Sequence, residues 1–271
     1  MTHPAFRFGP ALLFCPADRP DRYEKAAERA DAVILDLEDA VADADKHAAR
    51  LALVESTLDP ERVVVRLNPA RGPHFADDLA ALAATEYRTV MLAKCEGTAD
   101  LVDLEDYEVL ALCETARGVL AAADVAAIPN VSALMWGAED LVASLGGSSS
   151  RQADGRYRDV ATHARSQVLL AAGAHDIAAI DAVHLEIGDL EGLRAEAVDA
   201  AAVGFAATAC IHPSQVPVVR DAYRPDPERL DWARSVLAAA STEAGVFAFR
   251  GEMVDAPLLR QAEAVVRRAG R

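Results

Sequence analysis

The chain has 271 residues and a formal charge of −16, from 27 Lys and Arg against 43 Asp and Glu. Its content of 52% hydrophobic and 26% charged residues is ordinary for a globular protein and excludes a disordered chain. Phosphate binding needs clustered Lys and Arg, so a chain this acidic predicts no nucleic-acid partner.

No segment is predicted to span a membrane. The most apolar stretch, 118–128, has about half of the ~20 residues that a transmembrane helix needs. The first ten residues lack the charged and apolar regions of a secretory signal. We therefore expect a cytoplasmic protein with no membrane partner. The scattered cysteines form no C-x-x-C pair and are predicted to be buried free thiols: Cys15, Cys95, Cys113 and Cys210.

Eight short apolar runs are predicted as β-strands: 11–15, 32–37, 63–67, 89–93, 109–113, 132–136, 180–185 and 207–211. Each is apolar on both faces, which is typical of a parallel sheet covered on both sides. Helical patterns lie between most of them, among them 20–29, 45–55, 75–84 and 193–203. The longest gap, between the sixth and seventh runs, opens with the loop sequence LGGSSS at 145–150.

This alternation predicts an α/β fold, a closed (β/α)8 TIM barrel. An open doubly wound sheet is the alternative, but no G-x-G-x-x-G turn follows the first strand. Two further helical patterns, 227–240 and 256–269, are joined by 244–251 and exceed what closes a barrel. We expect residues 1–222 to form the catalytic barrel domain and residues 223–271 a C-terminal helical arm or lid.

In such a barrel, catalytic residues lie at the carboxyl ends of the strands. Charged and polar residues stand at the ends of seven predicted strands: Arg19, Asp36, Glu38, Asp39, Arg66, Asn68, Lys94, Glu96, Glu114, Thr115, Glu139, Asp140 and His212. Charges at the ends of apolar strands are costly unless they are paired or bind a ligand. A purely structural belt of ion pairs is the alternative interpretation.

Two carboxylates, Glu114 and Asp140, follow neighbouring strands. They can supply adjacent oxygens to an octahedral Mg²⁺ and leave positions for water and substrate. A ligand set of hard carboxylate oxygens, without His or Cys, favours Mg²⁺ or Mn²⁺ over Zn²⁺. Arg66 can hold a substrate carboxylate or carbonyl through its planar guanidinium group.

Six motifs occur in order along nearly the whole chain: LFCPADRPDRYEKAAERADAVILDLEDAVADADKHAAR (13–50), VVVRLNP (63–69), LCETARG (112–118), WGAEDL (136–141), CIHPSQ (210–215) and MVDAPLL (253–259). Together they resemble the citrate lyase β-subunit-like (CitE-like) proteins of the HpcH/HpaI aldolase/citrate lyase superfamily. One departure is LAKCEG at 92–97, where many relatives have LPK; it leaves the role of Lys94 open.

The resemblance implies that Glu114 and Asp140 are the Mg²⁺ ligands and that Arg66 contacts the keto-acid part of the substrate. Glu38 and Asp39 match acidic residues that lie close to the metal and order its waters.

Three further residues gain roles from the same resemblance. Arg19 and Lys25 match contacts to the phosphates or pantetheine end of CoA. Asp255 matches an aspartate that reaches into the site from the C-terminal arm of a neighbouring subunit, which implies a homo-oligomer, a trimer or hexamer. Asp255 followed by Ala-Pro is also a good helix N-cap, and this structural role is the alternative.

The implied activity is the reversible cleavage of a β-hydroxyacyl-CoA, such as citramalyl-CoA or malyl-CoA. The products are acetyl-CoA and a 2-keto acid, pyruvate or glyoxylate, and Asp255 is the candidate for proton transfer at the acetyl-CoA methyl carbon. Two alternatives stay open: a metal-dependent aldolase on free hydroxy-keto acids, and a non-catalytic citrate-lyase-like subunit. His184 and His212 are expected to make structural hydrogen bonds, and Trp136 is expected to pack.

Overall fold

The computed structural model describes residues 3–241 and 245–270. The chain divides into two compact units, Met1–Val219 and Arg220–Arg271. The predicted junction 244–251 begins at Ala244, which lies outside the described residues. No helix in the described ranges is long and apolar enough to cross a membrane. The role of residues 223–271 as an arm or lid stays a prediction.

The first unit contains a closed barrel of eight parallel strands in sequence order, with the eighth paired to the first. The strands are β1 Ala11–Pro16, β2 Ala32–Asp36, β3 Val63–Leu67, β4 Thr89–Leu92, β5 Glu108–Cys113, β6 Val131–Trp136, β7 Ala178–Asp181 and β8 Ala207–Cys210. The predicted (β/α)8 barrel is therefore confirmed.

The helices lie between the strands along the chain, as the repeat predicts. They are α1 Tyr23–Arg29, α2 Lys46–Val54, α3 Phe75–Ala83, α4 Ala116–Ala126, α5 Ala138–Ser144, α6 Asp159–Ala174, α7 Leu190–Val203 and α8 Gln215–Tyr223. Short 3₁₀ turns precede α1, α2, β3 and β5, at Pro20–Arg22, Asp43–Asp45, Pro60–Arg62 and Thr98–Leu104. The predicted helix 20–29 is therefore divided in two: Pro20–Arg22 form a 3₁₀ turn, and the α-helix begins only at Tyr23.

The barrel interior is filled by every second residue of the strands. Ile34 of β2, Val64 of β3 and Leu112 of β5 belong to this buried cluster, and Phe6 and Phe8 join it from the segment before β1. Because side chains alternate along a strand, Asp36, Arg66 and Glu114 follow the inward-facing positions. The sheet geometry thus directs charged groups to the carboxyl end of the interior.

The seventh strand differs from its prediction. It spans Ala178–Asp181 rather than 180–185, and its register with β8 joins only Ile180 to Ala207 and Asp181 to Thr208. The apolar run continues beyond the sheet: Leu185 has 51% of its surface exposed. Hydrophobicity alone therefore placed the end of this strand too late. The eighth strand is one residue shorter than predicted for the same reason.

The second unit contains two helices and a hairpin. The helices α9 Pro227–Ala240 and α10 Ala256–Ala269 match the predicted ranges and pack through a small core that includes Ala233, Val236 and Ala262. Between them, β9 Phe247–Phe249 and β10 Glu252–Val254 form an antiparallel hairpin. The turn residues Arg250 and Gly251 both have positive φ, 49° and 85°, which matches the twist of a two-residue hairpin.

All four cysteines are buried and free, as predicted. Burial raises the pKa of Cys15 to about 11 and that of Cys95 to about 12. Both thiols are therefore protonated at neutral pH and belong to the packing of the barrel.

Candidate active site

Asp36 and Arg66 meet inside the carboxyl end of the barrel. They are register partners on β2 and β3. Arg66 donates from Nε to Asp36 Oδ1 at 2.7 Å and from Nη2 to Asp36 Oδ2 at 2.6 Å, while its Nη1 lies 3.1 Å from Glu38 Oε2. Its guanidinium also lies 4.8 Å from the centroid of the Phe14 ring. These contacts use three of the five N–H groups of Arg66, so donors are left for a substrate oxygen.

Glu38 and Asp39 follow β2 in a turn that Asp36 organises. The amide of Glu38 donates to Asp36 Oδ1 at 2.8 Å, and the amide of Asp39 donates to Glu38 Oε2 at 2.9 Å. Glu38 is only 3% exposed. Burial raises the pKa of Glu38, against the opposing charges of Arg66 and Lys94. For Asp39 burial acts in the same direction, but the hydrogen bond and charge of Lys94, together with the charge of Arg66, lower the pKa of the carboxyl group.

Lys94 connects the carboxylates of three different strand ends. Its ammonium contacts Glu38 Oε1, Asp39 Oδ2 at 3.0 Å and Asp140 Oδ1 at 3.2 Å. Its backbone amide donates to Glu114 Oε1 at 3.0 Å. Burial opposes the charge of Lys94, but the hydrogen bond to Glu38 and the surrounding negative charges raise the pKa of this lysine.

Glu114 and Asp140 follow adjacent strands, since Cys113 and Trp136 are register partners at the ends of β5 and β6. Glu114 is 3% exposed, and burial together with the charge of Asp140 raises its pKa to about 8. Asp140 lies in the first turn of α5, and one-third of its side chain, 33%, is exposed. The two carboxylates are therefore close enough to interact electrostatically, with one of them reaching solvent.

The donor set of Glu114 and Asp140 fits a hard divalent cation, because both supply only oxygen. Gly137 lies against Glu114: a Cβ at this position would be 2.8 Å from Glu114 Oε2. No group of three or more His, Cys, Asp and Glu side chains within residues 3–241 and 245–270 forms a metal site. Two carboxylates plus water and substrate is the usual arrangement for Mg²⁺, which keeps several waters.

The structure brings together five of the predicted residues: Glu38, Asp39, Arg66, Glu114 and Asp140. Two further members of the cluster, Asp36 and Lys94, stand among the charged strand-end residues of the sequence, but the sequence assigned neither of them a role in the site. A role for Asp36 could have been inferred, because it is a charged residue at an inward-facing position of an apolar strand. For Lys94 no such signal exists, since its contacts depend on a backbone turn.

The two predicted CoA contacts, Arg19 and Lys25, have different surroundings from this cluster. Arg19 makes a two-point contact with Asp21, with both distances 3.0 Å, and Lys25 is exposed on α1. Within the described parts of the chain, no hydrogen bond or ion pair joins either residue to the carboxylates. Their exposure leaves both side chains accessible to a solvent-borne anion.

Asp255 belongs to the second unit, where it is the N-cap of α10. Its Oδ1 accepts a hydrogen bond from the Leu258 amide at 3.2 Å. The structural role expected from the Asp-Ala-Pro sequence is therefore present, and a catalytic role is compatible with it, because Oδ2 is not used in this cap.

Other polar residues near the strand ends make structural contacts. His212 Nδ1 lies 2.7 Å from Ser214 Oγ, and His184 Nδ1 lies 2.9 Å from Glu196 Oε2. Trp136 is fully buried and donates to Asp181 Oδ1 at 2.6 Å. A separate cavity of about 500 Å³ is lined by the segment before α6 and by residues of α6, β7, α7 and β8, and none of the predicted site residues lines it.

Comparisons with known proteins identify the family of this chain. Residues 10–213 match the family HpcH/HpaI aldolase/citrate lyase. A citrate lyase subunit beta-like protein of Mycobacterium tuberculosis (strain CDC 1551 / Oshkosh) is 62% identical over 262 residues, which cover 97% of this chain and 96% of the relative. The mitochondrial citramalyl-CoA lyase of Mus musculus is 30% identical over 290 residues, 94% of this chain and 84% of that protein.

A solved structure is also similar over nearly its full length. The crystal structure of CitE from Mycobacterium tuberculosis in complex with magnesium, acetoacetate and coenzyme A has a TM-score of 0.92 and 61% sequence identity, and the match covers 97% of this chain and 99% of that one. The chain thus belongs to the HpcH/HpaI aldolase/citrate lyase family and is a carbon–carbon lyase of its citrate lyase β-subunit-like group.

Proposed function

We propose that this chain is a Mg²⁺-dependent β-hydroxyacyl-CoA lyase, which reversibly cleaves citramalyl-CoA or malyl-CoA type thioesters to acetyl-CoA and pyruvate or glyoxylate. The observation that carries the proposal is the meeting of Glu114, Asp140 and Arg66 at the carboxyl end of one barrel. Two carboxylates that can bind a hard cation lie there beside the guanidinium group of Arg66, which has N–H groups left to bind substrate. The relative named as a citramalyl-CoA lyase and the CitE complex with magnesium and coenzyme A support the choice of substrate and metal.

Glu114 and Asp140 would hold the Mg²⁺ through carboxylate oxygens. When bound, the ion supplies positive charge to the hydroxyl and carboxylate oxygens of the substrate; Mn²⁺ meets the same donor requirements. Glu38 and Asp39 would accept hydrogen bonds from the water around it. The free N–H groups of Arg66 would bind the oxygens of the keto-acid part and fix its orientation.

Cleavage requires a proton to leave the β-hydroxyl group and a proton to reach carbon. As a water molecule held by Glu38 and Asp39 takes the hydroxyl proton and passes it to solvent, the carbon–carbon bond breaks: the hydroxyl carbon becomes the keto group, and the bonding electrons form the enolate of acetyl-CoA. Asp255 would give the proton that converts this enolate to acetyl-CoA, and would remove it in the condensation direction. Arg19 and Lys25 would bind the CoA phosphates or pantetheine end.

The proposal extends to assembly. Asp255 would act in the site of a neighbouring subunit, so the working form would be a homo-oligomer, a trimer or hexamer. The protein is proposed to work in the cytoplasm.

The test is acetyl-CoA release by the purified protein from citramalyl-CoA, malyl-CoA and hydroxymethylglutaryl-CoA, with Mg²⁺ and with EDTA. We expect turnover of at least one thioester with Mg²⁺, none with EDTA, and none in Glu114→Ala. Glu96→Ala is the matched control, because Glu96 follows the neighbouring strand β4 but pairs with Thr115 and Arg117 instead of the cluster. Absence of turnover from folded, metal-replete protein would overturn the proposal, and cleavage of free hydroxy-keto acids alone would replace it with an aldolase.

A further inference from the structure

Lys94 has an uncommon backbone conformation for a lysine. Its φ is 48°, in the left-handed region that costs a residue with a Cβ conformational energy. Met91 of β4 faces the barrel interior, so regular alternation would turn Ala93 inward and Lys94 outward. The turn at Lys94 interrupts this alternation, and the ammonium contacts Glu38, Asp39 and Asp140.

The charges around Lys94 do not balance. The cluster holds five carboxyl groups, from Asp36, Glu38, Asp39, Glu114 and Asp140, and the two cations Arg66 and Lys94. Arg66 contacts Asp36 and Glu38, whereas Lys94 contacts the carboxylate of Asp140 and, through its amide, that of Glu114. Lys94 therefore touches both of the residues that would hold the metal.

We propose that Lys94 is a built-in counterion of the metal site: its ammonium neutralises the carboxylates before a divalent cation arrives and leaves Asp140 when the cation binds. The inference rests on the proposed function, because it takes Glu114 and Asp140 as the metal ligands. A divalent cation bound to the Asp140 carboxylate would lie close to the Lys94 ammonium, and the two positive charges would repel each other. Lys94 thus keeps the carboxylates in place without metal and lowers the affinity of the site for metal.

This role differs from that of an ordinary structural ion pair. A lysine that only holds the site together would, when removed, leave disordered ligands and weaker metal binding. A lysine that competes with the metal would, when removed, leave stronger metal binding and a less stable metal-free protein. The sign of the change in affinity therefore separates the two roles.

The experiment measures the binding of Mn²⁺ alone to metal-free protein, by the decrease of the electron paramagnetic resonance signal of free Mn²⁺. Lys94→Met keeps the length of the side chain without its charge. Lys94→Asn also removes the charge and suits the left-handed backbone, because Asn adopts positive φ more readily than most residues. Arg117→Met is the control: it removes a positive charge from α4, where Arg117 is 70% exposed and lies near Glu96.

We expect the Kd for Mn²⁺ to decrease about tenfold in both Lys94 variants, as removal of one positive charge near a divalent ion in a hydrated site predicts. Arg117→Met should change it less than twofold. The melting temperature in EDTA should fall in the Lys94 variants, and added Mn²⁺ should raise it more than in the wild type. Unchanged or weaker Mn²⁺ binding in both variants would overturn the inference. If instead the wild type binds no Mn²⁺, or Glu114→Ala binds it equally well, the proposed metal site itself fails.

Discussion

Asp36 and Arg66 are register partners on adjacent strands, and their side chains form a two-point ion pair inside the barrel. The two carboxylate oxygens of Asp36 also accept hydrogen bonds from the backbone amides of Glu38 and Ala40, at 2.8 and 3.2 Å. Asp36 thus fixes both the guanidinium group that would bind substrate and the turn that carries the acidic residues of the site.

Asp36→Ala should be strongly destabilising, because it leaves the Arg66 charge with one buried partner instead of two. Removal of one member of a buried ion pair typically costs about 3–5 kcal/mol of the free energy of unfolding. Urea denaturation measures the change. Asp154→Ala is the control, because its pair with Arg156 is exposed, with side-chain exposures of 52% and 75%. Its loss should be below about 1 kcal/mol; equal losses in the two variants would contradict the prediction.

Gly137→Ala should displace Glu114 while leaving the fold intact. The backbone at Gly137 has φ −132° and ψ 127°, which alanine adopts freely, but the new Cβ would lie 2.8 Å from Glu114 Oε2. We expect Mn²⁺ affinity and Mg²⁺-dependent turnover to fall at least tenfold, and the free energy of unfolding by at most about 1–3 kcal/mol.

Gly173→Ala provides the comparison for this prediction. It lies in α6 with no atom within 4 Å of a new Cβ, so it should leave metal binding unchanged. Helix propensity should raise its stability by up to about 1 kcal/mol. If Gly137→Ala binds Mn²⁺ as well as Gly173→Ala does, Gly137 does not determine the position of Glu114.

The stability of the metal-free protein should depend on pH through Glu114. Its pKa is raised from an ordinary 4.5 to about 8, with burial as the main cause. Between these values the folded state holds a proton that the unfolded state has lost. The stabilisation of the folded state by this group is therefore complete below pH 4.5 and is lost as the pH rises through 8.

Urea denaturation in EDTA between pH 5.5 and 8.5 measures this effect. Stability should fall with pH in the wild type and fall less in Glu114→Gln, which carries no ionisable group there. Saturating Mg²⁺ should remove this difference in pH dependence between the wild type and Glu114→Gln, because a bound cation favours the carboxylate form of Glu114. Equal pH dependence of the wild type and Glu114→Gln in EDTA would contradict the assignment.

Substitutions of Asp255 should separate its capping role from its proposed catalytic role. Asn caps a helix about as well as Asp, so Asp255→Asn should keep the melting temperature but lower kcat by at least 100-fold. Asp255→Ala should lose activity and also about 1 kcal/mol of stability. The measurements are thioester turnover and thermal unfolding. Full activity of a stable Asp255→Asn protein would show that Asp255 acts only as a helix cap.

The sequence predicted most of the barrel because its strands are uniformly apolar and recur at regular spacing. It also placed the charged residues at the strand ends, since Asp36, Arg66 and Glu114 follow the inward-facing positions. It failed for β7, where the apolar run continues beyond the last strand hydrogen bonds. The hairpin of β9 and β10 was missed because each strand has only three residues.

The part of the site that could not be predicted is the part that depends on backbone geometry. Lys94 reaches three carboxylates because its φ is positive, and lysine has no preference for that region. Nothing in the letters LAKCEG indicates such a turn. The closeness of Gly137 to Glu114 likewise follows from the register of β5 and β6, which only the folded sheet defines.

The pairing of β1 with β8 has a consequence for how the chain is made. Ala11 lies opposite Thr208, so the first strand of the barrel finds its second neighbour only after almost all of that unit has left the ribosome. Until then the sheet has two open edges, the kind of surface that associates with other nascent chains. Release of a fragment that ends before β8 should therefore yield aggregates, and chaperone protection is most needed during the synthesis of the last quarter of the barrel.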